Sequence, residues 1–125
     1  MKFLVPVPFE VGDDIWHTTG ADRFTPLGPS YRFGPYEAGA PLPVELVELN
    51  EVRPPVRDAG IVGLHPDRLA SILRAMCTGQ QLPAVLGQRN SVEPYELVAG
   101  YHRFYASVAL GYTHLPVAVR PYFTF

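Results

Sequence analysis

The most regular hydrophobic pattern lies in the middle of the chain. Leu69, Ile72, Leu73 and Met76 recur at i, i+3, i+4 and i+7, one face of an amphipathic helix. Pro66 suits the first helical position, Asp67 suits the first turn, and Thr78-Gly79 supplies the stop. Arg68, Ser71 and Ala75 share another face at the same spacing, one that can look into a pocket. Upstream, Pro43 to Leu49 reads PVELVEL, apolar alternating with acidic. It predicts a half-buried strand carrying Val44, Leu46, Val47 and Leu49 that ends near Asn50. Pro54-Pro55 then forbids helix and holds 51–57 extended, and 58–64 is a glycine-containing loop. Downstream, Ala84–Gln88 and Pro94–Ala99 predict two strands joined by a short polar loop, a hairpin. From Tyr101 or His102 to Leu110 the chain is apolar nearly all round, which predicts a largely buried helix stopped by Gly111. Leu115 to Val119 predicts a last strand, and RPYFTF is apolar enough to pack.

Residues 1–42 read differently. Lys2 to Val7 predicts one short strand, but the stretch after it is rich in proline and glycine and has little period. Trp16, Phe24, Tyr31, Phe33 and Tyr36 are too many aromatics for a solvated tail. The expected organisation is therefore a loop-rich arm over 1–42, packed on the domain or on a partner subunit, and a compact domain over 43–125. The expected class is α+β, a small mixed sheet with two main helices.

Composition narrows the partners. A chain of 125 residues is one domain by length, and 47% hydrophobic with 18% charged content is that of a globular protein. A net charge of -2 and a pI of about 6.0 argue against non-specific binding along nucleic acid. No stretch reads as a signal peptide or a membrane span, so the expected location is cytoplasmic. One cysteine, Cys77, allows no internal disulfide and no cysteine-built metal site. It reads as a small packed residue rather than a nucleophile. Asp13-Asp14 reads as an acidic loop face, and His17 has no ligand-spaced partner, so no metal held by protein ligands is expected.

The candidate chemistry sits in Leu97 to Leu110, LVAGYHRFYASVAL. A strand runs into Gly100 and a helix opens on Tyr101-His102-Arg103. The first backbone N–H groups of a helix have no internal partner and carry partial positive charge, so such a start suits an anion. Gly100 permits close approach, and Arg103 adds a fork suited to phosphate. The same residues also describe a buried strand–helix junction in which Arg103 pairs with Glu51 or Asp67, and both readings stay open. Arg53 and Arg57 are ligand contacts or ordinary surface charges.

Taken together, Pro43 to Pro121 resembles the ParB/sulfiredoxin superfamily. The resemblance is carried in order by PVELVEL, VRPPVRD, LHPDRLASILRAM, LPAVLGQ and YELVAGYHRFYASVALGYTHLPVAVR. Its hallmark is a strand followed by G-x-[RH]-R opening a helix, here Gly100-Tyr101-His102-Arg103. Within it the chain looks nearer to sulfiredoxin (Gly-Cys-His-Arg) and the free-serine kinases (Gly-His-His-Arg) than to the DNA-segregation proteins. Arg53-Pro54 and Pro66-Asp67-Arg68-Leu69-Ala70-Ser71 also match sulfiredoxin's framework.

The resemblance implies a nucleotide phosphate site. His102 and Arg103 match the family's phosphate pair, Arg68 a lysine and Ser71 a serine that contact nucleotide phosphates, and Gly100 and Tyr101 complete the turn. Ala75 falls where sulfiredoxins place a threonine, and Tyr101 where they place the catalytic cysteine, so sulfinic-acid reduction is not expected. The implied function is binding of ATP, ADP or CTP, with small-molecule kinase or NTP hydrolase activity, Mg²⁺ on the nucleotide, and an unidentified small-molecule acceptor. In that reading His102 and Glu51 are the catalytic candidates, with Glu51 near the glutamate of the serine kinases and Arg53 a further ligand contact. The alternative is a non-catalytic module that docks a partner or pairs two subunits through residues 1–42 and senses a ligand at the corner. A DNA-binding or ParB-like nuclease role ranks below both.

Overall fold

A computed structural model describes residues 1–4, 8–34, 42–53, 64–89 and 95–120. Val5–Val7 of the first predicted strand, Tyr36, Pro54-Pro55 with Arg57, the turn before Tyr95 and the tail from Pro121 lie outside the described residues. The fold is α+β. In the N-terminal segment, β1 (Lys2–Phe3) and β2 (Phe9–Glu10) pair antiparallel, α1 spans Asp13–Thr18, and a 3-10 turn covers Ala21–Arg23. β3 (Phe33–Gly34) follows. The compact part then runs β4 (Val44–Glu48), a 3-10 turn at Leu49–Glu51, β5 (Val52–Arg53), α2 (Pro66–Cys77), β6 (Leu82–Pro83), β7 (Val85–Gln88), β8 (Tyr95–Ala99), α3 (Tyr101–Leu110) and β9 (His114–Arg120).

Five strands form a mixed sheet in the order β4-β9-β7-β8-β5. β4–β9 and β7–β8 are antiparallel, the second being the predicted hairpin, and β7–β9 and β5–β8 are parallel. The two outer strands are consecutive in the chain, separated only by the turn at Leu49–Glu51. Four strand spacings in a flat sheet are roughly 19 Å, at about 4.8 Å each. Four residues reach only about 14 Å. The sheet therefore curls until its edges approach. Tyr95 on β8 spans the remaining gap and donates its phenol hydrogen to Glu45 Oε2 on β4 at 2.5 Å.

The predicted apolar faces fill the core. Leu69, Leu73 and Met76 of α2 are buried, as are Phe104, Tyr105, Ala106, Ala109 and Leu110 of α3 and Leu115 and Val117 of β9. Ser107 is buried in α3, its hydroxyl donating back to the Arg103 carbonyl at 2.8 Å. Two expectations change. Ala75 is buried rather than pocket-facing, because α2 packs against both α3 and the 3-10 turn at Ala21–Arg23. On β4 only Val47 is buried and Leu46 is 47% exposed, because successive strand residues point to opposite faces and only one face of this strand is covered.

The N-terminal segment contributes to this same core. Phe9, Val11, Ala21 and Tyr31 are buried in it, with the Phe9 ring stacked on Phe3 at 4.8 Å and tilted against Tyr105 at 4.9 Å. Phe33–Gly34 pairs in parallel with Leu82–Pro83, a contact with no local sequence signal. Tyr31 is 1% exposed and donates its phenol hydrogen to the Pro83 carbonyl at 2.7 Å. Among the described residues no helix is long and apolar enough to cross a membrane. Removing only the Tyr31 hydroxyl, in Tyr31→Phe, is expected to cost about 1 kcal/mol in urea unfolding. Tyr31→Ala, which also empties the site, is expected to cost about 3–5 kcal/mol.

Candidate functional site: the paired starts of α2 and α3

β8 delivers the chain to Gly100, the N-cap of α3, at φ 100° and ψ 32°. This is left-handed backbone, which glycine adopts without penalty. A Cβ here would also lie 2.6 Å from Val85 Cγ1, so the turn is seated on β7 with no room for a side chain. Gly100 accepts from the Phe104 N–H at 3.0 Å, but no side chain caps the helix. The opposite end closes at Gly111, also left-handed, as predicted.

α2 opens beside it. His65 is its N-cap and Pro66 its first residue. His65 Nδ1 accepts from the Arg68 N–H at 3.3 Å, while the His65 backbone N–H donates to His102 Nε2 at 2.9 Å. One histidine thus serves both helix starts. Burial first, then the charge of Arg68 and the presence of His65, pull the His102 pKa below its usual value, so the ring is held neutral.

These bonds fix both tautomers. His102 accepts through Nε2, so its hydrogen is on Nδ1. His65 accepts through Nδ1, so its hydrogen is on Nε2. Each imidazole keeps an N–H and no free lone pair. Arg68, exposed on α2, adds a guanidinium, and Ser71 lies exposed one turn further along the same helix.

Other sequence candidates fall elsewhere. Arg103 is half-buried, and its Nη1 donates to the Pro83 carbonyl at 2.9 Å, the same oxygen that Tyr31 engages. The alternative of pairing with Glu51 or Asp67 is replaced by this carbonyl, because the guanidinium reaches β6 rather than either acid. Tyr101 donates its phenol to the Val98 carbonyl at 3.3 Å, folding back along β8. Glu51 precedes Val52, which pairs with Tyr95 at the start of β8. Val52 therefore sits about 16 Å along the strand from Gly100, at roughly 3.3 Å per residue, and Glu51 lies beyond it. The next pair, Arg53 with Glu96, shares that end of the sheet. The structure brings His102, Gly100 and Arg68 together and separates Glu51 and Arg53 from them. His65 was not among the candidates. The signal was present, a polar residue directly before a proline at a helix start, but histidine is not among the strong N-cap residues.

No family model matches this chain, and no curated protein matches it. Among solved structures it is similar to sulfiredoxin from Arabidopsis thaliana, at 18% identity, covering 63% of this chain and 85% of that one, with a TM-score of 0.48. The likeness is one of fold.

Two outcomes follow from the geometry. An unfolded histidine titrates near ~6.5, whereas folded His102 titrates lower. Between those two values the unfolded chain binds more protons, so stability falls as pH drops from about 6.5 through the folded pKa and then levels off. The difference in urea midpoint between wild type and His102→Asn should therefore be flat above about pH 7 and shrink below it. Separately, Gly100→Ala meets both positive φ and Val85, and is expected to cost about 1–3 kcal/mol, read as a lower Tm.

Proposed function

We propose that the corner formed by His65, Arg68, Gly100 and His102 binds the phosphate groups of a nucleotide such as ATP, ADP or CTP. The observation that supports this most is that the side chains gathered there offer donors. Two imidazoles each keep one N–H, a guanidinium stands beside them, and α3 starts without a side-chain cap. Anions suit such a donor set. Ser71 extends it along α2. In this reading Mg²⁺ is carried on the nucleotide's own phosphates.

Binding is the centre of the reading, and transfer to a small hydroxylated acceptor or hydrolysis is its second tier. Phosphoryl transfer is largely positioning and charge neutralisation, but an acceptor hydroxyl also needs a base. Glu51 stands at the other end of β8, and both histidines have committed their lone pairs, so the corner favours holding phosphate over activating a nucleophile. Tyr101 stands where a sulfiredoxin-type reductase would need its thiol. The reading in which residues 1–42 dock a partner draws less support, because Phe9, Val11 and Tyr31 are spent on the chain's own core.

A ligand at one hundred times its Kd stabilises the folded state by about 2.7 kcal/mol. One nucleotide from a panel of ATP, ADP, CTP and GTP, with and without Mg²⁺, is expected to raise the Tm of the wild type and to do so far less for Arg68→Ala. Arg68 is the proper variant because its side chain is exposed, whereas Arg103→Ala would also loosen the Pro83 contact. No shift with any nucleotide would sink the proposal.

A further inference from the structure

A second depression lies elsewhere, where the segment from Thr18 to Leu27 meets the C-terminal turn of α2. Its volume is about 580 Å³, inside the ~300–1,000 Å³ span of small-molecule sites. Arg23 comes from the N-terminal segment and Arg74 from α2, with Phe24, Leu27 and Cys77 among the remaining lining. Phe24 packs its ring on Tyr112 at 5.6 Å, and Leu27 is fully exposed.

Both α1 and α2 end at this cleft, and a helix C-terminus by itself attracts a cation. That would account for two arginines if they donated to the terminal carbonyls, but backbone N–H groups do so, Thr19 to Ile15, Gly20 to His17, Thr78 to Arg74, Gly79 to Met76 and Gln80 to Ala75, with threonine hydroxyls as second donors. Thr18 Oγ1 donates to the Asp14 carbonyl at 2.7 Å, Thr19 Oγ1 to Ile15 at 2.6 Å and Thr78 Oγ1 to Arg74 at 2.8 Å. The guanidinium groups are thus not used as caps. Among the described residues neither Arg23 nor Arg74 forms an ion pair. Asp22, beside Arg23, has its carboxylate on His17 Nδ1 at 3.0 Å. The lining contains no acidic side chain. The Cys77 thiol is pushed up by burial and by the field of Asp22, so it stays neutral and adds to the apolar floor.

We propose that this cleft binds a small carboxylic acid with a compact apolar body, its carboxylate held by Arg23 and Arg74 and its apolar part resting on Phe24 and Leu27. Guanidinium groups engage carboxylates through paired N–H donors, and apolar surface beside them selects for an organic acid over a bare inorganic anion. The site is independent of the phosphate corner, sharing only α2 with it.

Cys77 is the chain's single cysteine and lines the cleft, so it reports on it directly. The test compares its alkylation by iodoacetate, an anion, and iodoacetamide, a neutral reagent of similar size, with N-acetylcysteinamide as the reference thiol. The iodoacetate-to-iodoacetamide rate ratio is expected to exceed the reference several-fold, to fall toward it in Arg23→Ala and Arg74→Ala, and to persist in Arg74→Lys. Benzoate is expected to slow the iodoacetamide reaction in the wild type. Any loosening of a variant raises both rates and leaves the ratio interpretable. A wild-type ratio equal to the reference, a ratio unmoved by both alanine substitutions, or a Cys77 that reacts as fast with benzoate as without it would each overturn the proposal.

Discussion

One backbone oxygen, the carbonyl of Pro83, joins three parts of the molecule. It accepts from the Tyr31 phenol and from Arg103 Nη1. Tyr31 belongs to the N-terminal segment, Arg103 to the first turn of α3, and Pro83 to the short strand that leads into β7. A carbonyl has two lone pairs, and using both here satisfies a buried phenol and a half-buried cation at once. Burial raises the Tyr31 pKa far above its usual value, outweighing the opposing pull of the Arg103 charge, and so keeps the phenol a donor. The site inherits its geometry from this junction, because the residue that anchors α3 directly follows the histidine that meets α2.

The elements with local signals were legible in the sequence. Leu69, Leu73 and Met76 announce α2 by spacing, the apolar run from Phe104 to Leu110 announces α3, and Gly100 and Gly111 mark its ends. What local pattern does not carry is the partner of a residue distant in the chain. Arg103 looked free to meet a phosphate or an acid, yet its partner lies 20 residues back on a strand of two residues. Glu51 entered as a candidate through its likeness in position to a glutamate of the serine kinases, and only the register of β5 on β8 reveals that it sits at the other end. The pairing of Phe33–Gly34 with Leu82–Pro83 has no periodicity to announce it. His65 was passed over for a related reason, since its role depends on His102, 37 residues away.

The two ends of α2 carry different chemistry on one rigid rod. At its start, backbone N–H groups fix two imidazoles as donors beside Arg68. At its end, backbone N–H groups of the following turn satisfy the terminal carbonyls, and Arg74 lines the same cleft as Arg23. In both places uncharged groups, the His65 ring at the start and backbone N–H groups at the end, satisfy the helix terminus without drawing on a guanidinium. A helix whose ends were capped by charged groups would have consumed those cations internally.

The curl of the sheet has a further consequence for how copies of this chain meet. An open sheet offers each outer strand as a template on which a neighbour can pair, and chains that do so grow into aggregates. Here one outer strand, β5, is only two residues long, and the other, β4, carries glutamates at positions 45 and 48. Bending the edges toward each other and pinning Tyr95 to Glu45 leaves a short, acidic, strongly curved rim. The closure at the start of β8 therefore also protects the protein against strand-to-strand association in the crowded conditions of a cell.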